Sequence, residues 1–166
     1  MSTPTPAQTP AQTPAQTSAP APASAPAQTP SAQMPEGRIS SGGPWEDRYG
    51  YARAVVAGPH VLVSGCTATV GGEVQHVGDA YRQTLTAFSI ALDAVEKAGT
   101  TRADVVRTRM FVVNADDFDA VGKAHGEIFG DVRPACTSVQ IAGLVDRRML
   151  VEVEVEAYRA ASGGGG

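Results

Sequence analysis

The sequence predicts an α+β domain, one β-sheet with both helices on a single face. Three observations carry this. The stretch "LVEVEVEAY", residues 150–158, alternates strictly, as a strand does when one face is buried and the other is not. From Asp79 the apolar period changes from two to 3.6, and later changes back. The resulting order, β-β-α-β-α-β-β, mixes strand runs with two helices rather than alternating them throughout, which favours an α+β sandwich.

Taken in order, "YGYARAVVAG" and "HVLVSGCTATV" are β-rich and separated by Gly58-Pro59, so they read as an antiparallel pair. "GGEV" is a short turn and edge piece. Tyr81, Leu85, Phe88, Leu92 and Val95 form a stripe at helical spacing, with Asp79 as N-cap and Gly99 ending the element. "DVVRTRMFVV", residues 104–113, returns to strand composition. A second helix starts near Asp116 or Asp117, either of which would serve as its cap, with Phe118, Val121, His125 and Ile128 or Phe129 on its stripe; Gly130 and Pro134 bracket the return to extended chain. "ACTSVQIAGL" and "MLVEVEVEAY" are the last two strands, joined by the polar turn "VDRR". The sheet face away from the helices carries Val, Leu, Ile and Met besides charges. Such a face is usually buried by self-association, so a homo-oligomer is expected.

The chain has 166 residues and a formal net charge of −4, enough for one domain of ordinary size. Its mild acidity argues against a nucleic-acid partner, and no apolar run approaches the ~20 residues of a membrane span. Cys66 and Cys136 lie far apart without metal-ligand spacing, against both a disulfide scaffold and a metal site. "GCTATVGG" lacks the lysine and spacing of a phosphate loop. Residues 1–35 are dominated by Pro, Ala, Thr and Gln, which cannot offset the entropy of ordering a backbone and read as a disordered tail. They lack the basic start and apolar stretch of a secretory signal, so a cytoplasmic location is expected. Met34 offers an alternative start. The domain is expected over 36–160, followed by a flexible Gly-rich tail at 161–166.

"HVLVSGCTAT", "DVVRTRMFV", "FGDVRPACTSVQIAGL" and "LVEVEVEA" together resemble the Rid family, the RidA/YjgF-type reactive-intermediate deaminases. The resemblance covers about residues 39–158. It implies a chorismate-mutase-like fold with a mixed sheet, assembled as a homotrimer with a cleft between each pair of subunits. It also implies hydrolysis of short-lived 2-imino or 2-enamino acids to 2-oxo acids and ammonia, without metal or cofactor. By the resemblance Glu152 orients the water, Gly65 offers backbone where a Cβ would intrude on the ligand, and Tyr51 lines the cleft. The chain departs from the family in two places. Where the family has P-A-R, with an arginine that clamps the substrate carboxylate, this chain has Pro134-Ala135-Cys136, which leaves the usual 2-imino acid without its clamp. On the second helix Gly122 replaces a polar asparagine, and His125 stands where an aromatic residue is usual.

The candidate site residues each have an ordinary structural explanation as well. Glu152 is either the carboxylate that handles water or part of a cross-strand lattice with Arg107 and Arg109, with Glu154 between these readings and Glu156 in solvent. Cys136 is a cleft residue, a nucleophile with His125 as its base, or a small packed thiol. His125 lies on the apolar stripe, where packing competes with a place in the cleft. Arg109 either replaces the missing clamp or pairs with Glu152 or Glu154. Trp45 either covers a cleft or packs the N-terminal arm. Two functions follow: a cofactor-free hydrolase or deaminase of imines, enamines or related small molecules, or a non-catalytic trimer of the same fold that binds a small molecule or another protein.

Overall fold

A computed structural model describes residues 35–159. The tail expected over residues 1–35, apart from Pro35, and the Gly-rich end at 161–166 lie outside the described residues. Six strands form one sheet in the order β1-β2-β3-β8-β6-β7. They are β1 (Arg38–Ile39), β2 (Ala54–Ala57), β3 (His60–Cys66), β8 (Val151–Tyr158), β6 (Val105–Val112) and β7 (Ala135–Gln140). All neighbours are antiparallel except β6 and β7, which run parallel. The sheet is therefore mixed, and the last two strands of the chain are not partners: β8 inserts between β3 and β6. Parallel pairing of β6 with β7 requires a crossover, which helix α3 (Phe118–Phe129) supplies.

Strand β8 shows why the alternation exists. Val151, Val153, Val155 and Ala157 are at most 1% exposed and face the helices, while Glu152, Glu154 and Glu156 lie on the open side. Helix α2 (Ala80–Lys97) packs across β3 and β8 and against α3. Asp79 caps it as expected, accepting the Arg82 N–H at 2.9 Å, and Gly99 follows its end at φ +77°. Its buried face is rotated from the expected stripe. Ala80, Gln83, Thr84, Ala87, Phe88, Ala91, Ala94 and Val95 are buried, whereas Tyr81, Leu85 and Leu92 are only partly so. Small side chains bring the helix backbone close to the sheet, and Phe88 fills the layer against Phe129. Gln83 is buried without cost to its amide: it donates to Arg148 O and accepts from Leu150 N, each at 2.8 Å, pinning the loop before β8.

Three local readings need correction. "YGYARAVVAG" is strand only over β2. Its first residue closes a short helix, α1 (Pro44–Tyr49), started by Pro44 and ended by Gly50 in the left-handed region. "HVLVSGCTATV" breaks after Cys66, and Thr69–Val70 pairs with Glu73–Val74 in a separate hairpin (β4, β5) around Gly71-Gly72, both at positive φ. Neither Asp116 nor Asp117 caps α3 through its side chain; a single 3₁₀ turn over Ala115–Asp117 leads into the helix instead. Among the described residues no helix is long and apolar enough to cross a membrane.

Candidate functional site

The open face of the sheet is a set of rows fixed by register. Arg107, Arg109 and Phe111 on β6 run opposite Glu156, Glu154 and Glu152 on β8. Two of the three carboxylates therefore meet arginines. Arg109 reaches Glu154 at 3.2 Å and Glu156 at 2.8 Å, and Arg107 reaches Glu156 at 3.8 Å. These groups are around a third exposed, so each pair contributes less than about 1 kcal/mol. Glu152 meets an aromatic ring in place of a cation. Among the described residues it has neither an ion pair nor a hydrogen bond.

Its other neighbour is β3. The ladder between β3 and β8 shifts register between Val63 and Cys66, and Gly65 lies in that bulge. A Cβ built on Gly65 would stand 1.8 Å from Glu152 Oε1 and 2.8 Å from its Cδ. The glycine is required because the carboxylate occupies that volume. Burial pushes the Glu152 carboxyl above its usual range, Glu154 adds to this, and Arg53 opposes it. A carboxylate so placed is a stronger base than an exposed one, the direction that proton transfer requires.

Arg53, just ahead of β2, is the cation the sequence reading missed. Its Nη1 donates to Gly65 O at 2.6 Å and approaches Cys66 Sγ at 3.3 Å, and its guanidinium carbon lies 5.7 Å from the centre of the Tyr51 ring. Behind it lies Glu46 of α1, only 3% exposed, with its carboxylate 3.8 Å from Arg53 Nε. Burial works against charge on Glu46, yet hydrogen bonds from Ser40 and Ser41, aided by Arg53, hold its carboxyl below the usual range. Tyr51, Gly65 and Glu152 are thus linked, through Arg53, into one constellation.

The remaining candidates lie elsewhere in the protomer. Cys136 is exposed on β7, in register with Thr108, which in turn opposes Val155. That row points to the helix side, so Cys136 and Glu152 are on opposite faces of the sheet. His125 is a packed residue: Nε2 lies 2.9 Å from Thr108 Oγ1, and its ring sits against Phe88 and Phe129 at 5.7 and 5.0 Å. Burial holds its pKa below the usual value, favouring the neutral imidazole. Arg109 is engaged by Glu154 and Glu156. Trp45 is half exposed, stacked on Tyr49 at 5.6 Å with Arg48 over both rings. Gly122 is exposed, with open space where a Cβ would stand.

The paired arginines, the bulge glycine and the lone carboxylate can be set beside known proteins. Residues 46–159 match the family model described as Endoribonuclease L-PSP. An uncharacterised protein of Streptomyces coelicolor is 48% identical over 75% of this chain and 92% of its own length. The 3-aminoacrylate deaminase RutC of Acinetobacter baylyi is 32% identical over 65% of this chain and 86% of its own. Among solved structures, Rv2704 of Mycobacterium tuberculosis, described as a member of the YjgF/YER057c/UK114 family, superposes with a TM-score of 0.67 at 38% identity, covering 73% of this chain and 97% of that one. A match over most of the described domain, in sequence and in fold, leaves one conclusion: the chain belongs to the Endoribonuclease L-PSP family, the YjgF/RidA group that its sequence motifs resemble.

Proposed function

We propose that the protein is a cofactor-free deaminase of small imines or enamines, working in clefts formed where the open sheet faces of three protomers meet. The observation that carries this is Glu152. Of the three carboxylates on β8, it alone stands without a cation opposite it, half-buried over a glycine that makes room for it. An imine carbon is already electrophilic, so water needs positioning and a proton acceptor more than activation by a metal. Glu152 takes a proton from the attacking water as the C–O bond forms. It returns that proton to nitrogen to give a carbinolamine, then carries the hydroxyl proton to the amine as the C–N bond breaks, releasing ammonia and a carbonyl product.

Trimeric assembly supplies what one protomer lacks. Leu62, Val106 and Val139 are each more than 40% exposed, and a second protomer is the covering that such apolar surface calls for. Assembly is also the way for the exposed edge of β7, with Cys136, to approach another protomer's Glu152. Since a thiol cannot clamp a carboxylate, the favoured substrates are imines and enamines without the customary carboxylate. RutC's description as a 3-aminoacrylate deaminase supports the reaction class. A ribonuclease, as the family description has it, would need cations free for phosphate, whereas Arg107 and Arg109 are paired. Both cysteines are free, which suits the reducing cytoplasm. The loss of the clamp also favours a second reading, a trimer that binds a small molecule without turning it over.

The test is ammonia release from imines generated in situ, one set carrying a carboxylate and one neutral. Acceleration of the neutral set over spontaneous hydrolysis is expected. Binding of either set without acceleration would establish the second reading in its place.

A further inference from the structure

Arg53 is only 14% exposed, and desolvating a guanidinium costs several kcal/mol. Its return as a plain ion pair is poor. Glu46 stands 3.8 Å from Nε, and that buried Nε has no hydrogen-bond acceptor among the described residues. The short contact is to the bulge: Nη1 donates to Gly65 O at 2.6 Å and reaches Ser64 O at 3.5 Å. A bulge leaves backbone groups outside the ladder, and a five-donor fork is suited to collecting them. Gly65 is thus held through its carbonyl by Arg53 while its missing side chain makes room for the Glu152 carboxylate.

We propose that Arg53 is the positioning residue of the Glu152 site, gripping the Gly65 carbonyl so that the bulge presents a fixed seat for the carboxylate, with Glu46, itself held by Ser40 and Ser41, as the counter-charge behind it. This rests on the reading of Glu152 as the residue that handles water, and adds the group that places it. The charge has a second effect. Glu154 on the same strand and burial both favour the protonated carboxyl, and Arg53 opposes them. Across on β6 the facing residue is Phe111, with Arg109 already bound to Glu154 and Glu156. Cys66 on β3 is a thiol whose pKa burial pushes up, so it brings no opposing charge.

The test uses the full chain and two readouts, a ¹³C NMR titration of the Glu152 carboxyl and kcat for ammonia release. Removing Arg53 alone leaves Glu46 buried and unpaired, so the informative variant is R53M/E46Q, with E46Q as control. The double variant should titrate Glu152 at higher pH than wild type, with kcat down about 10–100-fold at pH 7 and KM little changed. E46Q alone, in which Arg53 keeps its hydrogen bond to Gly65 O, should move the midpoint less than the double variant does. R53K should restore the midpoint while kcat stays about tenfold down, because a point charge lacks the fork. An unmoved Glu152 midpoint in a folded double variant overturns the proposal. If the double variant does not fold, wild-type kcat in R53K overturns it. E152Q with wild-type turnover would instead sink the role given to Glu152, while the Arg53 titration could still hold.

Discussion

Gly65→Ala separates what the bulge does for stability from what it does for the site. The new Cβ would lie 1.8 Å from Glu152 Oε1, and ordinary contact begins near 3.4 Å, so the carboxylate must retreat by roughly 1.6 Å. The obstructing atom is the end of a flexible side chain, and Gly65 is not in the left-handed region. Glu152 therefore swings to another rotamer at about 1 kcal/mol. Reduced freedom of the unfolded chain offsets about 0.4–1 kcal/mol of this. Thermal unfolding should shift by only a few degrees. Activity should respond quite differently, because a misplacement of about 1 Å can cost on the order of 100-fold in rate. The expected result is a folded protein with near-normal melting and ammonia release down about 100-fold. Wild-type turnover in Gly65→Ala would refute the reasoning, since the carboxylate cannot keep its place beside that Cβ.

Other predictions test separate parts of the account. Arg109→Ala removes only lattice pairs with Glu154 and Glu156, so turnover should stay within about threefold of wild type; abolition would show that Arg109 clamps substrate after all. Asp131 is bound by Arg102, whose hydrogen bonds hold its carboxyl down to about 2, below the usual 3.8. A pKa lowered by folding stabilises above the unfolded value and is lost as pH falls toward 2. Asp131→Asn should therefore lower the melting temperature at pH 7, with the difference shrinking through the acid range in a pH series. Phe88, fully buried against Phe129 and His125, should cost about 3–5 kcal/mol when cut to Ala, read by chemical denaturation.

Much of this was legible in the chain where local chemistry decides. The period-two run at 150–158, the Asp79 cap and the Gly99 stop each act within a few residues, and each appears as read. Long-range pairing does not leave such marks. Nothing within "ACTSVQIAGL" says that it pairs parallel with β6, because that depends on the crossover through α3 and on β8 taking the position between. The buried face of α2 differs from the stripe of large apolar residues for a physical reason: Ala80, Ala87, Ala91 and Ala94 allow the close approach to the sheet. Glu152, Glu154 and Glu156 are alike in sequence. Only the antiparallel register, which sets Phe111 rather than an arginine opposite Glu152, tells them apart. The spacing R-T-R-M-F on β6 held that signal, but reading it requires the register first. Arg53 looked like an ordinary strand residue because its partners, Glu46 and Gly65, lie on either side in the chain and converge only in the fold.

Glu152 is the point on which the account depends, and one comparison addresses it without intermediaries. Glu152→Gln keeps size and shape and removes the proton acceptor. Wild type and variant, matched for assembled mass in solution, are assayed for ammonia release at saturating imine across pH 5 to 9. The account predicts that assembly is unchanged and that turnover falls at least ~100-fold at every pH. A variant that assembles normally and works within a few-fold of wild type would contradict it.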